Sequence, residues 1–285
     1  HLYAGRLERL YADFVERFDV REREFPAEPV ADRAVHPPGG PNVYWGRGPH
    51  LGQPERFTVL LLQNASDWAR YEQAFFGGRT GEPRRFAHDE GGTLFFGTAV
   101  ELYDGDYRQD TPLFCAVTHA VVQNLVDGFR SHVHDAPLWF RQGLGHWYSR
   151  RVDPRWMVFD GHTPPRHDIL REWDWDVRVR DRVKLGNHLG QVLRWRDHRQ
   201  LARSDHMFLW SFVDWLMVRR VRDAGRYLML IKEPTVSGLT TRSQSTIDYL
   251  LAERQQKAFE AWWGLGPDAL GRDWAGWVLD TYPKR

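Results

Sequence analysis

Two neighbouring apolar segments carry polar side chains at one-turn spacing, and this pattern constrains the fold more than any other feature of the chain. In the first, Thr111 followed by Pro112 reads as an N-cap and first helical residue. Leu113, Phe114, Ala116, Val117, Ala120, Val121 and Leu125 then recur at helical period up to a stop at Gly128. Cys115, His119 and Gln123 therefore share one face, each four residues from the next. A second helix is predicted to open at Asp135-Ala136-Pro137 and to run through Trp139, Phe140, Leu144, Trp147 and Tyr148 to the break at Val152-Asp153-Pro154. Gln142 and His146 are again four apart on it. Gly143 and Gly145 each lower helix propensity by about 1 kcal/mol relative to Ala, a cost that makes sense where two backbones approach closely.

The order and spacing of these residues have the layout of a zinc-peptidase active site without its zinc chemistry. Such a site needs two imidazoles one turn apart, a carboxylate directly after the first, and a third ligand from a following helix. The stretches THAVVQ (118–123) and PLWFRQGLGHW (137–147) resemble the gluzincin, peptidase-MA-like superfamily, in the bacterial branch whose signature reads roughly HExxH, a gap, then PxWxxEGLAEY. The resemblance implies that His119 takes the first zinc-ligand position, Ala120 the general-base position, Gln123 the second-ligand position and Gln142 the third. Aligning Thr118, His119 and Val122 with the motif, one residue earlier, loses the ligands even more completely.

In that chemistry zinc lowers the pKa of a bound water, and the adjacent carboxylate takes its proton as the water attacks a peptide carbonyl. Ala120 has no group to accept a proton, and the neutral amide oxygens of Gln123 and Gln142 are poor zinc ligands beside imidazole and carboxylate. The resemblance thus implies a degenerate member: a pseudopeptidase without catalytic residues, zinc or other cofactor, acting by peptide or protein binding or as a scaffold. His119, Gln123 and Gln142 are then expected to converge in a polar network. His146, Trp147, Trp173 and Trp175, with a sheet edge near Thr93 to Phe96, are the candidates to line a groove for an extended segment. The resemblance also implies a bacterial setting, secreted, periplasmic or at the cell surface.

Two other chemistries compete. His119 and His146 facing each other across the helix pair, with His132 or His134 as third nitrogen, would form a rearranged metal site and make the chain a metal-dependent hydrolase. Cys115 and His119 have the spacing of a nucleophile and base, although a small buried apolar residue is the simpler reading of Cys115. The glycine motifs 143–145 and 264–266 lack a phosphate-binding context and read as packing and turn glycines. Asn64-Ala65-Ser66 matches a glycosylation acceptor pattern, but Ser66 reads better as a helix cap.

Composition narrows the partners. The 39 basic and 38 acidic residues of the 285 are spread along the sequence and give a net charge of +1, so nothing argues for nucleic acid or anionic lipid. With 42% hydrophobic residues and 14 Trp the chain can bury a substantial core, as one large domain or two tightly packed subdomains. The single Cys excludes an internal disulfide. No apolar run reaches about 18 residues, so no membrane insertion is expected. The chain opens on His1 rather than Met, which leaves a leader, anchor or further domain ahead of it open.

Residues 1–110 read as an N-terminal α/β subdomain. It comprises an amphipathic helix 2–18, a loop 26–54 with a short strand at 42–45, a strand at 56–62, a helix 66–76, and strand material at Phe86 and 93–96 around a Gly91-Gly92 turn. Residues 111–150 form the degenerate active-site helix pair. Residues 151–285 read as a helical subdomain, with a long structured loop at 155–183 and helices at about 186–197, 204–222, 224–232, 243–252, 253–263 and 267–282. The expected architecture is α+β and gluzincin-like, a small mixed sheet with helices followed by a mainly helical lobe, in one compact unit.

Overall fold

The computed structural model describes residues 2–20, 50–53, 55–78, 80–87, 94–103, 110–130, 132, 134–159, 173–186, 189–190, 193, 201–232, 244–264 and 266–284. In chain order its elements are α1 (Leu2–Arg17), β1 (Thr58–Leu62), α2 (Ala65–Phe76), β2 (Arg84–Ala87), β3 (Leu94–Ala99), a 3-10 turn (Val100–Tyr103), α3 (Thr111–Gly128) and α4 (Leu138–Val152). After these come α5 (Trp175–Lys184), α6 (Arg203–Arg219), α7 (Val221–Ile231), α8 (Gln244–Trp263) and α9 (Pro267–Thr281). The protein is therefore mixed α and β, mostly helical, with one three-stranded sheet.

The sheet has the order β1-β3-β2, with β1 parallel and β2 antiparallel to β3. Its register fixes which side chains reach the helices. Arg85 stands opposite Phe96, and Phe86 opposite Phe95. Phe86 stacks on Phe76 of α2 and Phe95 packs against both, so Arg85 and the buried Phe96 occupy the other face, toward α3. The expected edge at Thr93 to Phe96 is corrected by this topology. Thr93 lies outside the described residues, and 94–96 belong to the central strand, whose ladder bonds are used on both sides. Among the described residues β2 has only one strand neighbour.

The helix pair forms as its sequence predicts and sits at the centre of the molecule. Most residues of α3 and α4 are buried, all round each helix, which is the mark of core helices and not of surface helices with one apolar stripe. The close approach expected of the glycines is present. A Cβ on Gly145 would lie 2.8 Å from Cδ2 of His119, and one on Gly143 would lie 2.7 Å from the Leu209 carbonyl oxygen and collide with Val213. α4 is thus gripped by α3 on one side and α6 on the other, at distances no larger residue permits.

Several boundaries shift for local reasons. The α3 N-cap is Asp110 rather than Thr111, and Asn64 rather than Ser66 precedes α2, with no side-chain capping bond at either. The stretch 155–183 is not all loop. Trp175, Val179 and Val183 form a buried stripe at one-turn intervals in α5, and the Asp and Arg between them hide that period in the sequence. The helix expected at 204–222 breaks at Arg220, which is non-helical and whose carbonyl opens α7. The helices expected at 243–252 and 253–263 are one, α8. The predicted strand at 42–45, the turn at 91–92 and most of the helix at 186–197 fall outside the described residues.

Candidate functional site

His119, Gln123 and Asp127 lie at successive turns of α3, and all three are buried. Into this stripe β2 sends one long side chain. The guanidinium of Arg85 donates from Nε to Asn124 Oδ1 (2.7 Å), from Nη1 to Gln123 Oε1 (2.7 Å) and from Nη2 to Asp127 Oδ2 (2.5 Å). Gln142 of α4 donates to the same Gln123 oxygen at 3.3 Å. With its oxygen held by two donors, the Gln123 amide turns its nitrogen toward His119 Nδ1, 3.0 Å away. An amide nitrogen only donates, so His119 accepts at Nδ1 and carries its proton on Nε2.

Three of the vestigial positions, His119, Gln123 and Gln142, are therefore brought together as expected, and the fourth, Ala120, is a buried methyl beside them. An imidazole group continues the cluster. The His146 ring is 4.6 Å from that of His119 and 5.0 Å from that of His206 on α6, and His146 Nε2 is 2.8 Å from His206 Nδ1. Burial, with the neighbouring His119 and His206 adding to it, holds the His146 pKa well below the ordinary imidazole range. Trp175 and Phe159 close over the ring edge-on.

A second knot adjoins the first at the end of α3. Asp127 is fully buried and accepts from Arg85, from Arg141 Nη1 (3.1 Å) and from the backbone N–H of Ala136 (2.8 Å). Lys232, at the end of α7, donates Nζ to the carbonyls of Asp127 (2.5 Å) and His134 (2.7 Å). Burial pulls its pKa down to about 8, partly offset by Asp127 and Asp135.

The remaining sequence candidates are placed as follows. Of the four groove residues, Trp175, His146 and Trp147 are buried at 0%, 1% and 6% exposure, and only Trp173, at 48%, faces solvent. This corrects the expected aromatic groove: Trp175 packs on Arg150 and Trp210 as core, and Trp147 donates to Asp214 at 2.9 Å. The third nitrogen expected from the loop is also corrected. His134 Nε2 is bonded to the Ile231 carbonyl at 3.0 Å, and His132 pairs with Asp135, so the third imidazole beside His119 and His146 is that of His206. Among the described residues no group of three His, Cys, Asp or Glu side chains is arranged to hold a metal ion. Cys115 is buried, directs its thiol at the Ser149 carbonyl, and has its pKa pushed up to about 12 by burial, which leaves no thiolate for nucleophilic attack.

Sequence reasoning missed Arg85, Asp127, Lys232 and His206. Asp127 could have been found, since it continues the four-residue spacing from Gln123; the others come from distant elements and carry no local signal.

The fold defines an α+β protein built around a buried polar helix pair. Beyond that class, comparison with protein-family models, with curated proteins and with solved structures gives no match for this chain. No helix among the described residues is long and apolar enough to cross a membrane.

Proposed function

We propose that this chain is a catalytically inactive, gluzincin-like domain that works by holding an extended peptide or partner segment, or as a scaffold. The observation that carries this reading is the hydrogen-bonded set Arg85, Gln123, His119 and Gln142. One imidazole, His119, and two neutral amides, Gln123 and Gln142, stand at the positions where the resemblance implies ligands, the Gln123 oxygen is taken by the cationic guanidinium of Arg85, and the base position is Ala120. A permanent positive charge 2.7 Å from Gln123 Oε1 repels a divalent cation and takes up the oxygen lone pair a metal would use. The side of β2 away from β3, which has no strand neighbour among the described residues, would take an extended segment through its backbone groups, and Phe86 of β2 adjoins the aromatic rings of α2.

Elemental analysis and turnover of casein and peptide libraries test the inactive half of this reading. No bound zinc and no cleavage above background are expected; stoichiometric zinc lost on His119→Ala, or chelator-sensitive turnover, overturns it in favour of the rearranged metal hydrolase. Peptide arrays test the binding half. A captured peptide should lose affinity when its backbone amides are N-methylated, because strand addition depends on them.

A further inference from the structure

A cavity of about 660 Å³ opens between the end of α6 and one face of α9, lined by residues that take no part in the histidine–glutamine cluster. Its volume lies within the roughly 300–1,000 Å³ of small-molecule sites. Trp215 and Arg219 of α6, with Arg220 just beyond its end, form one wall. On α9 the other wall presents Arg272, Gly276 and Asp280 on a single stripe, flanked by Asp273 and Trp277.

The charges of this cavity are unusual in what they leave undone. Arg219, Arg272, Asp273 and Asp280 are all exposed, and none forms an ion pair with another described residue. The ion pair Arg220 makes, with Asp223 at 3.9 Å, is at the limit of such contacts. Three guanidinia and two carboxylates thus share one cavity without closing on each other. A simple anion entering it meets two carboxylates, and a simple cation meets three guanidinia; a ligand carrying both charges satisfies both sets. Between the charges lie the half-buried Trp277 ring and open space, since a Cβ on Gly276 would meet nothing within 4 Å.

We propose that this cavity is a binding site for a zwitterion with an apolar or aromatic body, of the free amino-acid or short-peptide class. The ligand's carboxylate pairs with the arginines, its ammonium with the aspartates, and its body rests on Trp277 above Gly276. The proposal stands independently of the reading of the Arg85 cluster, because the two sites share no residue.

Isothermal titration of the full chain with phenylalanine and with leucyl-phenylalanine tests it, beside the N-acetylated and C-amidated forms of each and inorganic phosphate. Binding of at least one free zwitterion is expected, with a loss of about tenfold or more when either charge is blocked, and a similar loss in Arg272→Gln and Asp280→Asn. Gly276→Leu projects a side chain into the cavity from a helical position where nothing clashes, so it should abolish binding while the melting temperature holds. The proposal is overturned if no free zwitterion binds, if binding survives Gly276→Leu or the loss of both charges, or if phosphate alone binds as tightly.

Discussion

The Nη1 of Arg85 on strand β2 lies 2.7 Å from Oε1 of Gln123 on helix α3, across 38 residues of sequence, and this contact turns the Gln123 amide nitrogen toward His119. The same guanidinium neutralises Asp127, which is wholly removed from water. Arg85→Met strips that charge and leaves Asp127 under-compensated, so unfolding by urea should come at a cost of about 3–5 kcal/mol relative to the parent. Adding Asp127→Asn should restore part of the loss, because the two side chains are coupled. A single variant as stable as the parent would show that the pair carries no such weight.

The glycines of α4 make a second prediction through contrast with α9. Gly143→Ala forces a methyl against the Leu209 carbonyl and Val213, and should destabilise by about 1–3 kcal/mol as overpacked cores do. Gly276→Ala meets open space and should be neutral or stabilising by up to about 1 kcal/mol through helix propensity. Thermal melts of the two variants check the pair; equal effects would contradict the close approach of α4 and α6.

The two tryptophans flanking Asp174 should separate cleanly. Trp175→Ala empties a fully buried site against His146 and Arg150 and is expected to lose about 3–5 kcal/mol. Trp173→Ala, half exposed and held through its backbone carbonyl by Arg150, should change the melting temperature little. The reverse order would mean that the 173–175 segment packs differently.

Acid should weaken the fold through its buried histidines. Burial, then Lys232, brings the His134 pKa down to about 3, and burial with His119 and His206 depresses His146 in the same direction. The unfolded chain protonates both near 6.5. Above that pH both states are neutral and these residues contribute nothing. As pH falls below it, the unfolded chain takes up protons that the folded chain refuses, costing about 1.4 kcal/mol per pH unit per histidine. For His134 the loss levels off near pH 3. Urea midpoints from pH 7 to 4 should therefore fall, and His134→Gln should make the slope shallower; a flat profile in the parent is the contrary result.

The helix pair was legible because its signals are local. Pro112, Gly128, the 135–137 opening and the 3.6-residue period of apolar residues fix α3 and α4 from short windows of sequence, and one-turn spacing alone puts His119 and Gln123 on one face. Gly143 and Gly145 even announced a close approach, since helices rarely accept that loss of propensity without a steric reason. Where charged residues interrupt a stripe, as in α5, the same reading failed because periodicity averages over side chains that point to water.

What the helices hold depended on register and packing. The segment Arg84 to Ala87 is compatible with either face of a strand, and only the pairing of Arg85 with Phe96 turns its guanidinium toward Gln123; a slip of one residue would have sent it to α2. His206 reaches His146 only because α4 lies close enough to α6 for glycine alone to fit between them. By itself the sequence determined which side chains share a helix face. The tertiary structure decided which partners come from elements far away in the chain, because hydrogen bonds and burial depend on distances in space that spacing along the chain does not encode.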